Sequence, residues 1–477
     1  MGADVEHLTA DICIVGAGSG GLVVAAGAAQ LGLRVVLIER DRMGGDCLNF
    51  GCVPSKSLIA AARVAQAQRT SAAFGVAAVE PRVDFARVMN HVDEVIQAIA
   101  PNDSVERFEK LGVRVLKEEA RFVGRTELEA GRWRITARRI VLATGSRPTA
   151  PPIPGLRDTP YFTNETIFAN RVLPQHLIVI GGGPIGLEMA QAHRRLGARV
   201  TVLEAAQFLA HDDPEVAAIV LAQLKAEGVD LHDGAKVNRV ETNRSGIAVT
   251  LEGSEPIVGS HLLVAAGRTP DVEALALDVA GIAHTKQGIT VDRSLRTTNR
   301  HVWAIGDCNG RYAFTHMAGY EASLFIRGAL FRAPARLDHS IVPWTTFTEP
   351  ELAHVGLTER QARERHGDSV RALRWKLADN DRAQTERETA GLVKAVVDHR
   401  GRILGASIAA ANAGELIQPW CLALFKRLRI SALASFVPPY PTLGEASKRA
   451  AGSFYTEALF GSRARRLVRW LTRLPVW

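Results

Sequence analysis

Cys47 and Cys52 are the residues whose type and spacing most directly imply chemistry. They lie in the run GGDCLNFGCVPSK (Gly44–Lys56), in a chain with five cysteines. Two thiols that open and close as one disulfide form a redox couple, because each can attack the same partner sulfur in turn. A regular helix cannot hold that bond: residues i and i+5 lie roughly 8–9 Å apart at Cα, beyond the ~4.4–6.8 Å that a disulfide tolerates. The segment must therefore bend, and Gly51 permits a bend. Pro54 suits the first turn of a following helix, whose N-terminal dipole favours a thiolate at Cys52. Two plainer readings stand beside this one: cysteines that never meet, and half of a zinc site. Zinc wants Cys-x-x-Cys spacing and further ligands, whereas Cys13, Cys308 and Cys421 are isolated, so no metal site is expected.

A redox pair needs an electron donor beside it, and an internal repeat suggests how one is positioned. DICIVGAGSGG (Asp11–Gly21) and LIVIGGGPIG (Leu177–Gly186) each follow an apolar strand and open a helix of small residues. Both helices end at Leu-Gly (Gly32, Gly197), and a second strand then runs to a glutamate, Glu39 or Glu204. All these pairs share one offset, 181 − 16 = 204 − 39 = 165 residues. One Gly-x-Gly-x-x-Gly is weak evidence, but two copies in strand–turn–helix–strand context with the terminal acid in place are strong. Gly16, Gly18 and Gly21, and likewise Gly181, Gly183 and Gly186, let a pyrophosphate approach the backbone at a helix N-terminus. Glu39 and Glu204 suit the ribose diols of two dinucleotides. A carboxylate at 204 repels a 2′-phosphate, which favours NADH over NADPH.

On these motifs the chain resembles the pyridine nucleotide-disulfide oxidoreductase family, the group that includes dihydrolipoamide dehydrogenase, glutathione reductase and mercuric reductase. The likeness runs over nearly the whole length. It implies an α/β fold: two doubly wound, Rossmann-like dinucleotide-binding domains plus a C-terminal α+β dimerisation domain. The implied division is 1–150 and 271–340 for the FAD-binding part, 151–270 for NAD(P)H, 341–460 for dimerisation, and 461–477 as a basic amphipathic tail. RIVLATGSRP (Arg139–Pro148) resembles the strand end that closes the FAD fold, with Thr144, Gly145 and Ser146 at the cofactor. LVAAGRTPD (Leu263–Asp271) resembles the return strand, with Gly267 in place and Ala266 where Thr is usual. TNRHVWAIGD (Thr298–Asp307) resembles the motif in which Gly306 and Asp307 hold the ribitol. Arg40, Gly45 and Asp46 join the implied FAD contacts, as do Thr315, His316 and Ala318 at a helix start facing the flavin. Lys56 and Glu188 resemble the pair beside flavin N5, where a cation meets the developing flavin charge. Taken alone, either is an ordinary surface charge.

The family implies a homodimer whose active site borrows residues from the partner, and there the sequence departs. Disulfide reductases of the family carry His-Pro and then Glu. Here VPPYPTLGE (Val437–Glu445) keeps Pro441, Thr442 and Glu445 but has Tyr440 in place of the His. A tyrosine of pKa about 10 is a poor base at neutral pH. Mercuric reductase also carries Tyr there, but it delivers metal through a C-terminal cysteine pair, and this sequence has no Cys after Cys421 and no N-terminal Cys-x-x-Cys module. The expected enzyme takes electrons from NADH through FAD to Cys47/Cys52, then to a small thiol, disulfide or metal acceptor. The alternatives are an NAD(P)H oxidase or quinone-type reductase with auxiliary cysteines, and a mercuric reductase-like enzyme lacking that cysteine pair.

With 477 residues, the chain allows several domains and a large core. It shows no secretory signal, and five cysteines with no export signal suggest a reducing cytoplasm. Ile12 to Leu33 carries no charge and imitates a membrane span, but its glycine cluster marks a turn. The net charge of +8 comes without a nucleic-acid motif, so no nucleic-acid partner is expected. Much of the excess sits at the end, where Arg463, Arg465, Arg466, Arg469 and Arg473 alternate with Leu467, Val468, Trp470, Leu471 and Leu474. That pattern fits a short amphipathic helix able to make weak contact with an anionic membrane surface or a partner. The competing reading folds it back on the body with its arginines solvated.

Overall fold

The computed structural model describes residues 5–475. The chain divides into two compact units, one running to Ala206 and resuming over Val229–Leu337, the other made of Gln207–Gly228 and the chain from Asp338 onward.

The two largest sheets of the first unit are a mixed seven-stranded sheet with a parallel centre and a four-stranded parallel sheet. Strand β1 (Glu6–Val15) is central in a seven-stranded sheet, flanked by strand β2 (Val35–Ile38) and by Trp133–Leu142. Register places Ile12 against Val35 on one side and Arg139 on the other. Both neighbours run parallel to β1, Val113–Leu116 extends the sheet beyond β2, and Val302–Ala304 adds to Trp133–Leu142. A strand buried on both faces must be apolar throughout, not alternating, and Ile12, Cys13 and Ile14 are fully buried. The second sheet repeats the plan in four parallel strands, ordered Val229–Asp233, Arg199–Glu204, His176–Ile180 and His261–Val264. Helix α1 (Ser19–Gln30) follows β1, as Pro184–Arg195 follows His176–Ile180. Just before β2, Arg34 turns its backbone N–H and its guanidinium onto Asp11.

The second unit is built on a five-stranded antiparallel sheet in the order Pro343–Thr346, Glu351–Gly356, Ile403–Ala410, Leu392–Asp398 and Val370–Lys376. Helices cover it, with Trp420 fully buried at the centre of its core. Lys394, at 3% exposure, sits among Asp213, Glu215 and Glu359, each 2.9 Å from its ammonium. A buried cation persists only when surrounded this way, since removing one partner would strand the other charge.

Candidate active site

The two Gly-rich turns repeat each other atom for atom. Gly16 and Gly181 both have left-handed backbone (φ 103° and 114°), and a Cβ at either would fall 2.3 Å or 2.4 Å from a neighbouring carbonyl oxygen. Gly16 N–H donates to Ile38 O at 2.8 Å and Gly181 N–H to Leu203 O at 2.9 Å. Glu39 accepts from the N–H groups of Ala17 and Asp41, both at 2.7 Å, and Glu204 from those of Gly182 and Ala206 at 2.7 and 2.8 Å. The helices open at Gly18 and Gly183 with extended backbone and no side-chain cap, which leaves their first N–H groups for an anion.

The cysteine segment lies against the first turn. After Gly44 and Gly45, both left-handed, comes the short helix α2 (Gly45–Asn49). Phe50 and Gly51 break the chain before helix α3 (Cys52–Thr70). Gly51 does permit the bend, but through space rather than a left-handed backbone: its φ is −123°, and an added Cβ would lie 2.9 Å from an Asp46 carboxylate oxygen. Cys47 and Cys52 stand as free thiols in hydrogen-bond contact. Cys52 opens α3, and its sulfur lies 3.3 Å from Oγ1 of Thr315, itself the first residue of the helix Thr315–Phe325. The two thiols differ sharply in acidity. The Cys47 thiol donates to Cys52, and the Thr315 hydroxyl and Lys56 ammonium add to it. Together they outweigh burial and the Asp46 charge, bringing Cys52 down to about 6. The same hydrogen bond, burial and Asp46 push Cys47 up. One proton is thus held on Cys47 beside a thiolate at Cys52. The other cysteines do not join them. Cys13 and Cys308 are buried and pushed up to about 12, and Cys421 is in the second unit.

One turn along α3, Lys56 Nζ is 2.8 Å from Glu188 Oε2, on the buried face of Pro184–Arg195. The structure therefore joins the residue next to the cysteines to the helix of the second Gly-rich turn. Near the first turn, Ser146 Oγ donates to Asp307 at 2.6 Å and accepts from Arg268 Nε at 2.8 Å. Arg268 continues to Asp46 at 3.2 Å, and Asn164 donates to the same Asp46 oxygen at 3.0 Å. Burial pushes Asp307 up. Arg40 pairs with Asp271 and Glu119, His316 stacks on Phe314 with ring centroids 5.2 Å apart, and Ala318 packs against Gly306.

Sequence reasoning missed Arg268, Asn164 and Glu321. Glu321 is 1% exposed and pushed up to about 7 by burial, and it accepts from Gly306 N–H at 2.7 Å and Asn309 Nδ2 at 2.8 Å. It ties the turn carrying Asp307 to the helix that Thr315 opens. A lone acid inside the apolar run MAGYEASLF was the available signal.

Tyr440 and Glu445 belong to the second unit. The Tyr440 hydroxyl donates to Asp381 at 2.7 Å, and that carboxylate pushes the phenol above its ordinary value. Glu445 pairs with Arg449 at 2.8 Å, and the Tyr440–Pro441 peptide is cis.

A two-sheet, two-dinucleotide scaffold holding a dithiol between helix N-termini defines a class of enzymes that move electrons from a nicotinamide through a flavin to sulfur. The chain matches the pyridine nucleotide-disulphide oxidoreductase family over residues 10–322 and that family's dimerisation domain over 342–451, and it belongs to this family. It is 34% identical to a mercuric reductase of Streptomyces lividans, covering 94% of this chain and 97% of that one. It is also 34% identical to a dihydrolipoyl dehydrogenase of Geobacillus stearothermophilus, over 92% and 94%. Among solved structures, the HOCl-induced flavoprotein disulfide reductase RclA of Escherichia coli superimposes with TM-score 0.84 at 30% identity, over 93% and 99%. The protein is accordingly an FAD-dependent, pyridine nucleotide-linked disulfide oxidoreductase that dimerises through its C-terminal domain.

The first site fits the flavin dinucleotide on its own chemistry. An open cleft is lined by Gly16, Glu39, Arg40 and Thr144 among others. The buried Thr144 hydroxyl, the Glu39 carboxylate, helix N–H groups and a buried acid at Asp307 make a set suited to ribose, phosphate and ribitol. Among the described residues, no helix is long and apolar enough to cross a membrane, and no cluster of three or more His, Cys, Asp or Glu could hold a metal.

Proposed function

We propose that the enzyme draws electrons from NADH and delivers them through the Cys47/Cys52 couple to a thiophilic metal ion in preference to a bulky disulfide, within the cytoplasm. The domain limits are those set out from the sequence, with FAD held by the residues around Gly16, Glu39, Thr144 and Asp307, and NADH by those around Gly181 and Glu204. Bound flavin supplies the two-electron relay between nicotinamide and sulfur. Lys56, held by Glu188 at 2.8 Å, would supply the cation beside that flavin. The N-termini of α3 and of Thr315–Phe325 stabilise the Cys52 thiolate. Cys47 is the outer thiol that meets the acceptor, and Tyr440 and Glu445 of the partner subunit shape its pocket.

The observation that carries the choice of acceptor is the proton on Cys47 set against Tyr440. To attack a disulfide, Cys47 must first lose its proton to a base, and Tyr440, its phenol already raised by Asp381, takes none at neutral pH. A thiophilic ion such as Cu(II) removes that requirement, because thiolate coordination itself displaces the proton. Two thiolates oxidised to one disulfide release two electrons, enough to convert two Cu(II) ions to Cu(I), while the Cys47 proton leaves to solvent. RclA, solved as a Cu(II) complex, and the mercuric reductases point the same way. Preference for NADH rests on Glu204 and its repulsion of a 2′-phosphate.

The test is an acceptor screen of wild type, Tyr440→His, Cys47→Ser and Cys52→Ser, with NADH and NADPH, against Cu(II) and lipoamide. Expected are NADH-linked, Cu(II)-dependent turnover lost in both Ser variants, and a rise of about 10²-fold in lipoamide turnover for Tyr440→His, the usual yield of a placed base. Faster lipoamide than Cu(II) turnover in the wild type would remove the metal reading. Full activity in the Ser variants would select the oxidase or quinone-type alternative.

A further inference from the structure

The reaction leaves the C-terminal helix without a role. It spans Ser462–Leu471 and none of its residues is buried. Leu467, Val468 and Trp470 are 55%, 54% and 59% exposed, with Leu471 and Leu474 close behind. The helix therefore does not fold its apolar side onto the body, which removes the plainer sequence reading of the tail. Ala464, Leu467, Val468 and Leu471 recur at i, i+3, i+4 and i+7, which puts them on one face with Trp470 at its border. Arg465, Arg466, Arg469 and Arg473 fall on the opposite arc, and Arg463 lies at the boundary, where its long stem can lift its charge clear. These five arginines form no ion pair with any described residue, and the sequence carries no acid after Glu457.

We propose that this helix is a docking element for an anionic phospholipid surface, lying in the headgroup plane with its leucine and tryptophan side inward. Charge and apolarity together select that occupant. Nucleic acid offers phosphates but no hydrocarbon for the exposed Leu and Trp side chains. A second copy of the helix, packed stripe to stripe, would cover the apolar side but leave the outward arginines without a counter-charge. An acidic bilayer surface satisfies both faces at once. The helix is only about 15 Å long at 1.5 Å per residue, so one copy binds weakly, and the homodimer carries two. The proposal stands apart from the choice of electron acceptor.

The experiment is vesicle flotation of the full-length flavin-loaded dimer. Vesicles of equal parts phosphatidylglycerol and phosphatidylcholine are compared with phosphatidylcholine alone. Binding to the anionic vesicles is expected, falling steeply as salt shortens the reach of surface charge. The triple variant R465E/R466E/R469E should weaken binding by about a hundredfold or more, given the worth of each cation near such a surface. Leu467→Asp, which leaves all five arginines, should also release the protein if the apolar side inserts. Both variants should retain wild-type NADH turnover and flavin content. Equal binding to neutral vesicles, no flotation at all, or flotation unchanged in both variants would overturn the proposal. So would a larger oligomer that forms without lipid and disperses in Leu467→Asp, since the apolar side would then be a contact between copies.

Discussion

Thr315→Val tests whether the Cys52 thiolate is made by its neighbours in the way the geometry implies. Valine keeps the shape of threonine at the first position of its helix and removes only the hydroxyl, which lies 3.3 Å from the sulfur. A hydrogen bond to a charged group contributes ≈ 1.5–3 kcal/mol, and one pKa unit corresponds to ≈ 1.36 kcal/mol of difference between protonation states. Loss of this bond should therefore raise Cys52 from about 6 by ~1–2 units. At neutral pH the thiolate then falls from about nine-tenths of the reduced protein to between half and a tenth, a ~2- to 10-fold drop. Iodoacetamide alkylation of the reduced enzyme across pH, with the modified peptide assigned to Cys52 by mass spectrometry, reads the inflection directly. Thr315→Ser retains the hydroxyl and should stay near wild type. An inflection unmoved in the valine variant, or moved equally in serine and valine, would mean that Thr315 acts by packing and that the hydrogen-bond argument is wrong.

Two further outcomes follow from the same electrostatics. Because the folded Cys52 value lies below that of an unfolded cysteine, its thiolate contributes stability that is present above the unfolded value and lost as pH falls through about 6. Thermal unfolding of reduced enzyme should thus show an extra loss of Tm between pH 8 and 5 that the oxidised disulfide form lacks, and parallel curves for the two forms would contradict it. Glu321→Ala leaves the buried Gly306 N–H and Asn309 amide without their acceptor, a loss of ≈ 1–3 kcal/mol for each unsatisfied group. It should lower Tm and speed flavin loss measured by fluorescence, whereas unchanged retention would show that Glu321 does not hold the Asp307 turn.

The parts of the site that repeat were legible before any coordinates, because a nucleotide turn is a local object. Gly16, Gly21 and Glu39 interact within one strand–helix–strand unit, so spacing alone carries them, and the copy at Gly181, Gly186 and Glu204 has the same bonds. The redox segment was half legible. Its need for a bend follows from disulfide geometry, but the bend comes from the close approach of Asp46 to Gly51, which no local propensity encodes. Arg268 and Asn164 were illegible for a related reason, since their partners Asp46 and Ser146 lie far along the chain, whereas Glu321 stood out as a lone acid in an apolar run although its partners, Gly306 N–H and the Asn309 amide, did not. Tyr440 was recognised as a departure, but Asp381, which accepts its hydrogen bond, sits in an unremarked helix start more than a full strand pair away in sequence.

Asp46 joins these observations. A carboxylate next to Cys47 opposes ionisation of both thiols, so its presence at a redox loop needs a compensating cation, and Arg268 supplies one at 3.2 Å while also holding Ser146, which in turn donates to Asp307. That charge, which adds to the hydrogen bond and burial that hold the proton on Cys47, is thereby tied through two side chains to the acid at the first dinucleotide site. Cys52, by contrast, faces two helix N-termini and Lys56, all of one sign. The loop thus treats its two sulfurs oppositely: their shared hydrogen bond leaves the proton on Cys47, and Thr315 and Lys56 favour the charge on Cys52 against Asp46. An acceptor that can displace the outer proton by itself gains most from that asymmetry, and one that waits for a base gains least.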